Sequence, residues 1–369
     1  MFIKRPSVIV DKRLTVRKIE HMAAKAKSSG VKFRPHFKTH HSAEIGEWFR
    51  PFGVSSIAVS SVGMAKYFAD HNWNDIMVCV PANIREIDEL NDLSKNVTLH
   101  VLVDSLETMN FLGEKMRSPV KVWIEIDVGY RRTGVPAART DKISKIAEHV
   151  RKYRNLQLAG ILTHAGTSYH AKSLSEIRKI YRESVSQMKT VQEFLASAGF
   201  PDLEVSVGDT PTCSVMKKFE APISEIRPGN FVFYDLAQLN LGSCREDEIS
   251  MTVACPVVSK APERNEVIIY GGGASLSKEF YTAKRHNVYG VIAQPDGEKG
   301  RTKPVKDVYV ASISQEHGKI IGPKKFVNDV KIGDVLMVLP VHACQTVLLH
   351  KEYQTYEGEI INSYHPSIC

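Results

Sequence analysis

The segment Phe33-Arg34-Pro35-His36-Phe37-Lys38-Thr39-His40-His41 begins as a short strand-like run and ends in a cluster of basic side chains. A buried strand meeting its loop at a lysine is the pattern it predicts. Working outward, similar β-like runs recur at 56–60, 76–80, 99–103, 122–127, 158–164, 203–207 and 231–235. Most are followed by a stretch whose apolar residues repeat with helical period. Counting 33–37, that makes eight strand-and-helix units in about 200 residues, the lower size range of a (β/α)8 barrel. An open doubly wound sheet shows the same alternation, and the count of eight favours the closed barrel.

Beyond Leu241 the texture changes. Runs at 249–258, 266–270, 288–293, 308–313, 335–339 and 346–349 are β-rich, punctuated by Gly and Pro, and show little helical periodicity. The expected fold is therefore α/β: a TIM-type barrel over residues 12–240, then a mostly β domain over 241–369. The strand-like Ser7-Val8-Ile9-Val10 precedes the first barrel helix, and residues 1–11 are expected to pair back into that β-domain. A chain of 369 residues agrees with two domains, because single cores rarely grow past about 250 residues.

The bulk composition, 43% hydrophobic and 24% charged, is that of a globular protein without low-complexity tracts. The net charge of +8 comes from 49 Lys and Arg spread along the chain among 41 acids. Nucleic-acid binders concentrate such residues on one face, so a solvated surface is the reading here. Met1–Pro6 runs into the strand-like Ser7–Val10 without an apolar h-region, and no window nears the roughly 20 apolar residues of a membrane span, so a cytosolic protein is expected. Six cysteines at 79, 213, 244, 255, 344 and 369 have no paired spacing, as expected of free thiols in a reducing cytoplasm.

If the barrel forms, Lys38 lies on the face where barrel enzymes keep their active sites. Neighbouring cations and partial burial both favour a free amine, the form that Schiff-base chemistry uses. Arg34-Pro35-His36-Phe37-Lys38-Thr39-His40 resembles the Arg-Pro-His-x-Lys-Thr-His segment of the D-serine dehydratase and D-threonine aldolase group, within the alanine racemase-like (fold type III) enzymes of pyridoxal 5'-phosphate (PLP). The resemblance implies that Lys38 carries this cofactor, and further similar segments follow in order along nearly the whole chain.

Asp127-Val128-Gly129-Tyr130-Arg131-Arg132-Thr133-Gly134-Val135 is similar to a family segment that implies Arg132 near the pyridine nitrogen. His164-Ala165-Gly166-Thr167-Ser168-Tyr169 resembles the segment with a cofactor-contacting tyrosine, here Tyr169. Barrel enzymes bind phosphate after strands seven and eight. Gly208-Asp209-Thr210-Pro211-Thr212 follows the seventh run and Arg227-Pro228-Gly229-Asn230 leads into the eighth; on these nearby loops Gly208, Thr210, Thr212, Gly229 and Asn230 are the candidates. Asp209 would repel a phosphate and is expected to point away.

Val341-His342-Ala343-Cys344 places an imidazole and a thiol two residues apart, on one side if the backbone is extended. It resembles the family's His-x-Cys or His-x-Asp metal site. That implies a divalent metal at His342 and Cys344, zinc first and manganese second, with the cysteine form characteristic of D-serine dehydratases. Ser314-Gln315-Glu316-His317-Gly318 resembles a Glu-His-Gly loop that supplies a supporting group, whereas Tyr270-Gly271-Gly272-Gly273-Ala274-Ser275-Leu276-Ser277-Lys278 departs from the family pattern.

The function implied is a lyase acting on a small D-β-hydroxy amino acid. Dehydration of the D-serine type comes first, with retro-aldol cleavage of the D-threonine type or racemisation as alternatives. A non-catalytic PLP-binding protein is the rival of another class, and the large β-domain with its metal pair argues against it. A homodimer is also implied, with neither nucleic acid nor membrane as a partner.

Overall fold

The computed structural model describes residues 3–283, 286–297 and 300–365, so that Met1, Phe2 and Cys369 lie outside the described residues. Two large sheets organise it. The first contains eight parallel strands: Lys32–Phe33, Ile57–Val59, Asp75–Pro81, Thr98–Val103, Val120–Asp127, Leu156–Thr163, Glu204–Val207 and Glu225–Ile226. Each pairs with its neighbours in chain order, and the eighth pairs back onto the first. The ring closes through a parallel bridge between His36 and Ala58, with the Ala58 N–H donating to the Pro35 carbonyl at 3.0 Å.

Side chains alternate along the strands between two cores. Val122, Ile124 and Ile126 point outward into a core shared with the surrounding helices. Met77, Leu102, Trp123 and Leu162 form a separate small cluster, the filling of the barrel itself. Helices begin where Ser or Asp caps them: Ser61, Ser105, Ser173, Asp209 and Asp235 each accept an N–H from the first turn.

Part of the barrel interior is ionic. Arg34, 4% exposed at its side chain, reaches Glu225 at 2.7 Å and Asp75 at 2.5 Å. His100 joins Asp75 at 3.1 Å, and Trp123 donates to His100 at 2.9 Å. On the other side Ser206 donates to Glu225 and receives Arg227, each at 2.5 Å.

The second sheet is mainly antiparallel. Ser7–Val10 lies within it, antiparallel to Met251–Ala261 and parallel to Glu352–Thr355. The N-terminal strand thus joins the sheet formed by the far end of the chain.

The structure corrects several expected elements. The run at 231–235 is not the eighth strand: it is a buried turn containing the short helix Asn230–Val232, with Tyr234 at φ 53. The eighth strand is Glu225–Ile226, hidden from a hydrophobicity reading because its first residue is a glutamate facing the barrel ionic cluster. Arg227-Pro228-Gly229-Asn230 therefore leaves the eighth strand instead of leading into it. The run at 33–37 is cut to Lys32–Phe33, and Phe37–Thr39 forms a short 3-10 turn. The run at 288–293 divides at Tyr289 into His286–Val288 and Gly290–Ala293. The run at 346–349 is replaced by the helix Ala343–Val347. In each case tertiary contacts outweigh β-propensity.

Candidate active site

A cavity of about 1100 Å³ opens at the C-terminal ends of the barrel strands, between the barrel and the second sheet. Its wall collects residues from successive strand ends: Lys38 after the first, Arg132 after the fifth, Tyr169 after the sixth, Gly208 and Thr210 after the seventh, and Gly229 and Asn230 after the eighth. His342 and Cys344 come to the same wall from the second sheet. Thr212 is not part of it; its N–H and hydroxyl both donate to Asp209, at 2.8 and 2.7 Å.

Lys38 sits in the 3-10 turn Phe37–Thr39, and its N–H donates to the His36 ring at 3.3 Å. The imidazoles around it are held neutral by burial, reinforced by nearby cations. His36 and His164 both fall below the usual histidine range, His164 to about 3. His164 Nδ1 lies 2.7 Å from the Gly208 carbonyl and donates to it as the neutral ring, which leaves the second nitrogen as an acceptor. Two guanidinium groups face the cavity. Arg132 is exposed at the rim, 5.4 Å from the Tyr130 ring, whereas Arg227 is buried and anchored to Ser206 and the Thr163 carbonyl.

The Gly208 end of the cavity suits an oxyanion. Tyr169 Oη receives the Thr210 N–H at 3.2 Å, and the buried Thr210 hydroxyl has no partner among the described residues. A buried unpaired hydroxyl is costly unless a ligand or water meets it. Asp209 takes no part: Oδ1 accepts Ser168 and Thr212, Oδ2 accepts the Thr212 hydroxyl, and the carboxylate caps the helix Thr210–Val215. Asn230 Nδ2 donates to Asp235 at 2.6 Å, while its buried Oδ1 has no partner among the described residues. Gly208 and Gly229 let main chains approach: an added Cβ would lie 2.8 Å from Arg227 at one and 2.9 Å from the His36 carbonyl at the other.

The imidazole–thiol pair forms by a different geometry from the extended one expected. His342 caps the helix Ala343–Val347 and Cys344 lies in its first turn, where a bond between them shapes both titrations. Burial opposes charge on His342, but the hydrogen bond to Cys344 and the charge of its sulfur raise the imidazole to about 9. Burial likewise disfavours the thiolate, and His342 pulls the Cys344 thiol below its usual value. Asp235 ties this helix to the barrel by accepting the Ala343 N–H at 2.9 Å. Among the described residues no cluster of three or more metal-ligating side chains gathers, so a metal here would have two protein ligands and open positions.

Sequence reading missed Arg227, His36, His164, Glu125 and Asp235 in this wall. A charged residue inside an apolar strand, as in Val120–Asp127, was the available signal for Glu125. The loop 314–318 supports rather than lines the site. The Gly273 and Ala274 N–H groups bond to the carbonyls of Ser314 and Gln315, which braces the glycine segment leading to Glu279 and Phe280 in the cavity wall.

Residues 11–236 match the family model for the alanine racemase N-terminal domain. The chain belongs to this family. Residues 250–356 match the model of a putative serine dehydratase domain, so most of the cavity wall falls within matched regions, Ala237, Gln238, Asn240, Leu241 and Tyr364 excepted. The chain is 28% identical to D-threo-3-hydroxyaspartate dehydratase of Delftia sp. strain HT23, covering 96% of this chain and 94% of that protein. It is 27% identical to D-serine dehydratase of Dictyostelium discoideum, with 99% and 97% covered. The solved structure of the Delftia sp. HT23 enzyme superposes with a TM-score of 0.91 at 25% identity, covering 98% of each chain. A D-threo-3-hydroxyaspartate dehydratase with a cysteine-to-alanine mutation, in a metal-free form, superposes equally well at 26% identity and the same coverage. The alanine racemase-like barrel with its mainly antiparallel second sheet is thus the fold of the family member described here.

Proposed function

We propose that this chain is a PLP- and metal-dependent lyase that dehydrates a small D-β-hydroxy amino acid to an oxo acid and ammonia. One observation carries the reading: a single cavity holds Lys38 and the His342–Cys344 pair, and Thr39, next to Lys38, touches the Cys344 sulfur at 3.3 Å. Both dehydratase relatives span nearly the whole chain, including both sheets.

Lys38 would hold the cofactor covalently, with Tyr169, Gly208, Thr210, Gly229 and Asn230 around its phosphate. The unpaired Thr210 hydroxyl fits this assignment. Thr212 supports the loop through Asp209. Arg227, buried and anchored, is the guanidinium suited to a ring nitrogen deep in the cavity; Arg132, exposed at the rim, suits the substrate carboxylate. PLP, when bound, supplies an electron sink at the substrate Cα. The free amine of Lys38 is the base that takes the Cα proton. His342 and Cys344 would hold a divalent ion, zinc by ligand type, which supplies Lewis acidity toward the β-hydroxyl.

The proposed arrangement is a barrel over residues 12–240 and a β-domain over 241–369 with residues 1–11. The family resemblance supports a homodimer. The five described cysteines are all free, which supports a cytoplasmic setting. Among the described residues no helix is long and apolar enough to cross a membrane.

The test is to incubate the purified protein with D-serine, D-threo-3-hydroxyaspartate and D-threonine, with and without a chelator. Oxo acid and ammonia that disappear with the metal are the expected products. Glycine and an aldehyde would indicate aldol cleavage instead, and inversion without metal would indicate a racemase.

A further inference from the structure

The turn that carries Lys38 is held from the opposite end of the chain. Tyr353 Oη donates to the His40 carbonyl at 2.7 Å, a buried bond across 313 residues. The Tyr364 N–H donates to the next carbonyl, that of His41, at 2.5 Å. Asn362 donates to Glu44 from both its main chain and its side chain at 3.2 Å. Three residues of one C-terminal segment thus reach three positions just beyond the lysine.

The turn needs holding. His41 is buried with φ 52, the left-handed region that a residue with a Cβ enters at a cost. Its N–H donates to the Phe37 carbonyl at 3.0 Å, closing the turn that contains Lys38. A path of hydrogen bonds therefore runs from Tyr364 through His41 to Phe37, the residue before Lys38. The Tyr364 ring lies tilted against Tyr67 with centroids 5.4 Å apart, and Tyr364 is itself part of the cavity wall.

We propose that the segment 353–365 is a strap whose Tyr353 and Tyr364 are positioning residues for Lys38: they hold the His40–His41 turn and so aim the lysine amine. This rests on the function proposed above. In that chemistry a small displacement of the base is costly, because proton transfer needs the reacting atoms at near-contact distance. The strap also explains how the second sheet contributes to a lysine it does not carry.

The experiment uses the full-length holoenzyme and three variants: Tyr353→Phe removes one donor, Tyr364→Pro removes the other, and Ile360→Ser changes an exposed side chain of the same segment without touching either bond. Rates are measured on whichever of D-serine and D-threo-3-hydroxyaspartate the wild type converts. Recapture of PLP by the stripped protein is followed through its visible band. Tyr353→Phe and Tyr364→Pro are each expected to lower kcat about tenfold and to slow recapture, with KM little changed, while Ile360→Ser behaves as wild type. The strap is refuted if both tyrosine variants keep wild-type kcat and recapture rate. It is equally refuted if their losses match only the fraction of unfolded protein seen by circular dichroism. If the wild type binds no PLP and converts neither acid, it is the functional reading that fails. The strap is then judged by hydrogen exchange over residues 37–44, which must quicken in Tyr353→Phe.

Discussion

Thr39 Oγ1 and Cys344 Sγ lie 3.3 Å apart although 305 residues separate them in the chain. One follows the first barrel strand, the other opens a helix at the end of a strand of the second sheet. The contact sets the His342–Cys344 pair against the residue next to Lys38, and Asp235 fixes the same helix by accepting the Ala343 N–H. Lys38 and the His342–Cys344 pair are thus brought together by a turn that follows a strand of one sheet and a helix that follows a strand of the other.

Lys38→Ala is expected to abolish the visible band of bound PLP and to reduce turnover to background, with the barrel still folded. An absorption spectrum recorded after reconstitution decides this, and an unchanged band in the variant would refute the assignment of the lysine.

Replacing Cys344 by Ala leaves His342 as a single ligand. Metal content by elemental analysis should drop to trace levels, with affinity lower by about 100-fold or more, and dehydration should be lost along with it. Equal metal content in the wild type and in Cys344→Ala would show that the pair is not the metal site.

Gly208→Ala places a methyl group 2.8 Å from Arg227 Cβ and 2.9 Å from its main chain, so the loop after the seventh strand or the one after the eighth must shift. A loss of about 1–3 kcal/mol in denaturant unfolding is expected, with weaker retention of PLP. Stability and retention equal to wild type would mean that the close approach is dispensable.

The ionic cluster inside the barrel makes a pH prediction. Burial opposes charge on Glu225 and Asp75, yet Arg34, with Ser206 at the one and His100 at the other, holds both carboxylates below their usual range. Their folded values lie below the unfolded ones, so the stability they contribute is present above about pH 4.3. It is lost as the pH falls through the folded values. Arg34→Met leaves Glu225 buried without its main counter-charge, costing about 3–5 kcal/mol near neutrality, and protonation then relieves the penalty. The difference in melting temperature between wild type and variant should therefore shrink on going from pH 7 to pH 3; a constant difference would sink this account.

Much of the barrel is legible in the chain because most strands are apolar runs of ordinary length. Runs such as Val120–Asp127 and Leu156–Thr163 are visible in this way. Glu225–Ile226 is not, because a two-residue strand led by a charge carries no hydrophobic period, and the apolar run after it draws the assignment to itself. The same displacement concealed Arg227, whose place at the cavity follows only once the eighth strand ends before it. The helix Ala343–Val347 escaped for a similar reason: its β-prone residues are held helical by Asp235 at its start and by the Leu276 carbonyl, which accepts the Thr346 hydroxyl at 3.1 Å.

Local chemistry written in consecutive residues was readable from the sequence alone: the lysine at a strand end, the histidine and cysteine two apart, the glycines of the two loops, and the strand-and-helix alternation whose count of eight favours a barrel. The tertiary structure decided everything that depends on residues far apart in the chain. It gave Asp209 the Ser168 hydroxyl as a partner, set Thr39 against Cys344, and brought Tyr353 and Tyr364 to the carbonyls behind Lys38. The reason is physical: periodicity and turn chemistry act over a few residues, whereas a buried polar group takes whatever partner the folded chain delivers.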